Sequence, residues 1–172
     1  MQQLYLTGRH ASSIADRLFT ALDVRPAGFR LLPFSVSGAV RGEVLHLLLP
    51  PSPPLMNDGP CRIRIAEDAW ATVPRVLEET AAPCLERMTH YHAPILLDAL
   101  SADLLSSPAL RTALVRCLMS ARPVIAVVHE DARPLLEALT PREHQLWLNV
   151  PEDADARAAL LETLLTEAAM RL

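Results

Sequence analysis

The residues most able to do chemistry in this chain lie in one early stretch and at the end of one apolar run. Near the N-terminus, Gln3-Leu-Tyr-Leu-Thr7 leads to Gly8-Arg-His-Ala-Ser-Ser13, and an amphipathic pattern follows. Strand, loop, helix is the frame in which a Gly-rich loop cradles a phosphate, and its working form reads GxxxxGK[ST]. In the register that starts at Gly8, Ser13 stands where the second glycine would be. Ile14 takes the place of the lysine and Ala15 that of the hydroxyl that holds magnesium. No lysine can come from elsewhere, because all 16 basic residues are arginine. A guanidinium is a planar fork, not the compact charge that fits between phosphates. Gly8, Arg9, His10, Ser12 and Ser13 remain as phosphate-loop candidates, because helix N-termini attract anions. Against this, Ser13 followed by Asp16 reads as a helix cap, and Arg9 and His10 as solvated loop residues.

The second feature is Pro94-Ile-Leu-Leu-Asp98, a continuous apolar run ending in one carboxylate, as expected of a parallel strand buried on both faces. Ligands in open α/β sheets bind at such strand ends. An equally simple role for Asp98 is polar closure of the strand. His90-Tyr-His92 offers two metal-ligand side chains without a third nearby, which reads as a surface loop. Cys61, Cys84 and Cys117 are odd in number and widely spaced. They read as buried thiols in a reducing compartment, with neither a disulfide set nor a zinc site.

The elements that must position these residues follow from apolar periodicity. A helix over Ile14, Leu18 and Leu22 follows the loop. Arg30–Val36 and Glu43–Leu49 form an antiparallel hairpin, with turn residues at Ser37-Gly38 and Arg41-Gly42. Pro50–Pro60, five prolines in eleven residues, is a stiff connector. Cys61–Ile65 is a short strand, and Asp68-Ala-Trp70 opens a helical stretch that Pro74 interrupts or restarts. From Pro94 onward, strands alternate with helices: Ile95–Asp98, a helix capped by Ser107-Pro108, Val124–Val128, a helix over Arg133–Leu139, Gln145–Val150 and a closing helix over Asp153–Leu172. This order gives a parallel sheet. The expectation is a single domain over 1–172, with the hairpin inserted at about 28–49 and the connector at 50–60.

Taken in order, these elements resemble the thermophile-type nucleoside-triphosphatase family, nucleotide-kinase-like proteins with a P-loop. The likeness runs through the N-terminal loop, the Gly28-Phe29 entry to the hairpin and Ala69-Trp-Ala-Thr-Val-Pro74. It continues through Ile95-Leu-Leu-Asp98-Ala-Leu-Ser-Ala-Asp-Leu104 and the Arg122-Pro-Val-Ile strand ending at His129. The resemblance implies a three-layer α/β fold, mainly parallel, with helices on both faces and an antiparallel hairpin at one side. It also implies magnesium-dependent hydrolysis of nucleotides. In that family the strand-end Asp helps hold magnesium and the Glu after it activates water. Asp98 matches the first, Ala99 replaces the second, and Leu104 stands where a further Glu is expected, next to Asp103.

These departures make the chain a degenerate member, with Asp98 vestigial, no confident catalytic residue and no metal site. The expected role is a binding or regulatory module without hydrolysis. The alternative is an active or nucleotide-binding nucleoside-triphosphatase or nucleotide kinase, in which arginines such as Arg9 and Arg17 replace the lysine. A nucleotide or phosphate is the ligand class in view, magnesium is not expected, and the partner is an unknown protein or a small anionic ligand. Restoring Ser13→Gly, Ile14→Lys and Ala15→Thr together is expected to regain nucleotide binding at most. A net charge of −4 argues against nucleic acid or an anionic membrane as partner. No apolar run reaches the ~18 residues of a membrane span, so a cytoplasmic location is expected.

Overall fold

A computed structural model describes residues 3–48, 59–67, 69–139, 141, 143 and 145–169. Eight strands form one sheet in the order β5-β4-β3-β2-β6-β7-β1-β8. The parallel half contains β1 (Gln3–Thr7), β6 (Ile95–Leu100), β7 (Val124–Val128) and β8 (Gln145–Asn149), with β2 (Ala27–Val36) beside β6. The strand that carries Asp98 runs on to Leu100, two residues past the expected end, and is central, between β2 and β7, as its apolar run requires. The antiparallel half is β2, β3 (Ala39–Leu48), β4 (Gly59–Ala66) and β5 (Ala69–Thr72).

Helices cover both faces of the parallel half. On one side α1 (Ala11–Ala21) and α6 (Ala154–Ala169) close over Leu6, Leu96, Ile125 and Val127. On the other, α2 (Pro74–Val76), a π turn (Leu77–Ala81) and α3 (Ala82–Met88) form one continuous helical arm. This arm and α4 (Pro108–Leu118) pack on Tyr5, Phe29, Leu97 and Ala126. Between β7 and β8 lies α5 (Arg133–Leu139). Its Arg133 sits 4.9 Å from the ring centre of Trp147, which stacks on Tyr5 at 4.4 Å. With so few aromatics, burial falls mainly to Leu, Ile, Val and Ala.

Several local expectations change. The hairpin turns on Ser37 and Gly38 alone, at φ 52° and 79°, a two-residue loop whose handedness suits twisted strands. Arg41 and Gly42 lie inside β3. Ala69–Thr72 is strand, not the opening of a helix: Trp70 pairs with Arg64, and the helix starts at Pro74. The connector lies outside the described residues as far as 58, while Gly59 and Pro60 begin β4. Leu49, Asp68 and 170–172 also lie outside them. Ser107 caps α4 as expected, its Oγ accepting from the Leu110 N–H at 3.4 Å. His90 and His92 fall in the bend after α3, with His92 Nδ1 3.2 Å from Arg122 Nη2. No group of three metal-ligating side chains occurs among the described residues.

Candidate phosphate site at the strand ends

The carboxyl ends of β1, β6 and β8 bring the sequence candidates together, although not in the arrangement the motif requires. Gly8 ends β1 at φ +98°. A Cβ there would lie 3.0 Å from both Asn149 Oδ1 and the Val150 carbonyl, so the glycine is needed for the chain to pass the end of β8. Only Arg9 and His10 follow before α1 begins. The Ala11 N–H donates to the Gly8 carbonyl and the Ile14 N–H to the His10 carbonyl, both at 3.1 Å. Residues 11–13, which a phosphate loop keeps outside the helix so that their N–H groups can converge on an anion, are already helical.

Starting the helix at Ala11 sets which side chains face the core. Ile14 and Ala15 are buried, at 1% and 0% exposure, in the layer between α1 and the sheet. The motif would need a lysine and a hydroxyl turned toward ligand at those two positions. Arg9 and Ser13 are exposed, and Arg17 lies further along the exposed face of α1. His10 Nε2 is 3.3 Å from Glu152 Oε2, which ties this turn to the loop after β8. The expected cap at Ser13 is not formed: His10 holds the N-cap position without a side-chain bond.

Ser12 instead reaches across to β6, its Oγ donating to Asp98 Oδ1 at 2.7 Å. The other carboxylate oxygen, Oδ2, is 3.0 Å from Arg30 Nε. That contact is an ion pair. The guanidinium extends on to Asp16 in α1. Sheet register explains the pairing. Arg30 on β2 lies directly opposite Asp98 on β6, so both side chains leave the sheet on the same face. The cluster Ser12–Asp98–Arg30–Asp16 thus joins three elements at one strand end. Asp16, read from the sequence as part of a helix cap, serves this cluster.

Burial pushes the Asp98 carboxyl up from 3.8. The Ser12 hydrogen bond and the Arg30 charge oppose this, and Asp16 adds to it. A raised carboxyl binds its proton more tightly in the folded chain than in the unfolded one. Its contribution to stability is therefore complete below 3.8 and lost as pH rises through the folded-state value. Asp98→Asn cannot lose this term. Urea midpoints measured from about pH 3.5 to 7 should show the variant gaining on the unmutated protein as pH rises. A gap that is constant, or that moves the other way, contradicts this assignment.

The remaining reactive groups are committed elsewhere. Asp103 Oδ2 pairs with Arg62 Nε at 2.8 Å. Arg62 also meets Glu43 at 3.0 Å and lies 4.7 Å from the Trp70 ring centre. Leu104 is core. All three cysteines are buried and unpaired, and burial pushes Cys61 and Cys117 up to about 12, far from a nucleophilic thiolate. An apolar cavity of about 200 Å³ lies at the opposite end of the sheet, among Leu4, Leu18, Phe19, Leu22, Ile125 and Leu164. Its lining has no group suited to phosphate chemistry. A more open pocket of about 360 Å³ flanks the cluster beside Asp16, Thr20, Arg25 and Arg30.

The sequence carries no local signal of the role of Arg30, because that role depends on the β2–β6 register. An isolated Arg within an apolar strand is the one cue that could have drawn attention to it.

No protein-family model and no curated protein sequence matches the chain significantly. Solved structures do. THEP1 from the hyperthermophile Aquifex aeolicus superposes with a TM-score of 0.68 at 15% identity, over 96% of this chain and 98% of that one. A human cancer-related nucleoside triphosphatase gives 0.72 at 17% identity, over 98% and 97%. At such identities the likeness is one of architecture, and it covers nearly the whole of each chain. The chain therefore has the three-layer α/β fold of P-loop nucleoside triphosphatases.

Proposed function

We propose that this protein is a degenerate P-loop NTPase-like module that does not hydrolyse nucleotides and acts through binding or regulation. The observation that carries this reading is the helix start at Ala11, which draws the phosphate-loop residues into α1 and buries Ile14 and Ala15. Phosphoryl transfer relies on positioning and charge neutralisation, so a protein without those groups has little else to contribute. Loss of one preorganised stabilising donor commonly costs about a hundred- to a thousandfold in rate. Here the lysine, the metal-binding hydroxyl and the residue after Asp98 are Ile14, Ala15 and Ala99.

The fold implies a nucleotide phosphate and magnesium, and the residues present do not fit the metal. Both oxygens of Asp98 already have partners in Ser12 and Arg30, and the hydroxyl position is the buried Ala15. No reaction step is assigned through magnesium. Rescue by Arg9 or Arg17 has no geometric support, because the exposed guanidiniums flank a turn that forms no cradle.

Phosphate release tests the reading. With ATP or GTP and magnesium, purified protein should release phosphate no faster than a matched Asp98→Ala preparation. Clear turnover that Asp98→Ala or Arg9→Ala abolishes would overturn it.

A further inference from the structure

The cluster at the end of β6 is more than a site that has lost its parts. Asp98 has 4% of its surface exposed, and one carboxylate oxygen faces a hydroxyl while the other faces a guanidinium. A carboxylate buried to that degree requires a counter-charge. Magnesium would supply one, but it demands near-octahedral oxygen ligands and keeps several of its waters. This space is instead bounded by Arg30 Nε at 3.0 Å, while the rest of the guanidinium goes on to Asp16.

We infer that Arg30 is the resident cation of this site, a covalently supplied substitute for a divalent ion between Asp98 and Asp16, and that it makes the protein's binding state independent of divalent metal. The charge comes from β2, the strand that joins the parallel sheet to the hairpin, and it arrives by direct cross-strand register with Asp98. Ser12 stands as the hydroxyl partner of the carboxylate. It lies three residues before Ala15, where the phosphate-loop motif would place that hydroxyl. The buried Asp98 therefore has its counter-charge from within the chain, and an ion approaching from solvent meets a fixed positive group that it cannot displace without breaking two ion pairs. An arginine suits this role because its planar, always-charged fork can meet two carboxylates at once.

Removing the guanidinium should expose what it covers, namely two carboxylates and a hydroxyl, all oxygen donors suited to a hard cation. This inference rests on the same strand end as the proposed function. Its test contains no nucleotide and reads metal binding alone, so a folded Arg30→Ala that binds no Mn²⁺ would overturn this inference and leave the absence of hydrolysis standing.

The test is a titration with Mn²⁺ followed by electron paramagnetic resonance on three proteins: unmutated, Arg30→Ala, and Arg30→Ala with Asp98→Asn. Circular dichroism and thermal melts confirm that each is folded. The unmutated protein should leave Mn²⁺ free. Arg30→Ala should bind one ion with Kd on the order of 1 mM or tighter, at least tenfold better than the unmutated protein, and should melt higher with Mn²⁺ present. The double variant should lose the gain. If Arg30→Ala does not fold, Arg30→Gln keeps a donor without the charge and should show a smaller gain in the same direction. Binding of Mn²⁺ by the unmutated protein as tight as by the variant overturns the inference. So does a folded Arg30→Ala or Arg30→Gln that binds no better than the unmutated chain, or a gain that survives Asp98→Asn.

Discussion

Ile14→Lys should unfold this protein or come close to it, instead of restoring a phosphate site. The side chain at 14 is 1% exposed and packs in the layer between α1 and the sheet with Leu6, Leu18 and Val127. An ammonium there would be a buried charge among apolar side chains. An uncompensated buried charge costs about 3–5 kcal/mol, against a total stability of roughly 5–15 kcal/mol for a typical domain. Ser13→Lys is the control: one residue earlier on the exposed side of the same turn, it should change stability by no more than about 0.5 kcal/mol. Urea denaturation of the two variants separates the accounts. If Ile14→Lys is as stable as Ser13→Lys, α1 does not start where described and the loop is open. On the sequence alone, restoring glycine, lysine and threonine together regains nucleotide binding at most. With Ile14 and Ala15 both in the core, the triple variant should lose the fold before it gains a ligand.

Gly28→Ala should be the most damaging of the small substitutions. Gly28 pairs with Leu96 where β2 joins β6, at φ +135°, and an added Cβ would fall 1.8 Å from the Leu96 carbonyl oxygen. That is backbone, which cannot move aside without parting the two strands. The strained φ alone costs roughly 1–3 kcal/mol, so the total should reach about 3 kcal/mol or more. The damage should spread to the site, because the Arg30–Asp98 pair lies two residues further along the same ladder. Gly38→Ala provides the comparison, since it too has positive φ (+79°) but nothing lies within 4 Å of its Cβ. It should cost about 1 kcal/mol. Similar denaturation midpoints for the two would mean that β2 does not approach β6 as described.

These two predictions depend on features of different legibility. The parallel strands β6 and β7 could be read directly, because strands covered on both faces are written as unbroken apolar runs, and β1 and β8 show shorter apolar runs of the same kind. Asp98 was legible for the same reason, as the one carboxylate closing such a run. The fold followed from their order. The start of α1 was harder to place. Ser13 and Asp16 carry a cap signal, but the positive φ of Gly8 turns the chain so tightly that the helix begins at Ala11, and both Ser12 and Asp16 are drawn to β6 and β2 instead. Ala69–Thr72 is rich in alanine, which favours helix. Its pairing with β4 overrides that local preference, as tertiary contacts often do.

Arg30 was beyond reach because its partner is set by long-range register. A shift of β2 by one residue would place its side chain on the opposite face of the sheet from Asp98. The same holds for Arg62, whose pairs with Glu43 and Asp103 span three separate segments. Sequence pattern shows which residues are missing from a site. The groups that have taken their place become visible only when the strands are aligned.

Calorimetric titration of the unmutated protein with ATP and with GTP, each with and without magnesium, tests the central claim most directly. A loop whose residues are drawn into α1 should give only heats of dilution up to millimolar nucleotide, or at most a weak, metal-independent heat from anion contact with Arg9 and the first turn of α1. Saturable, magnesium-dependent binding that disappears in Asp98→Ala would contradict it, since that would require both an open cradle and a free carboxylate.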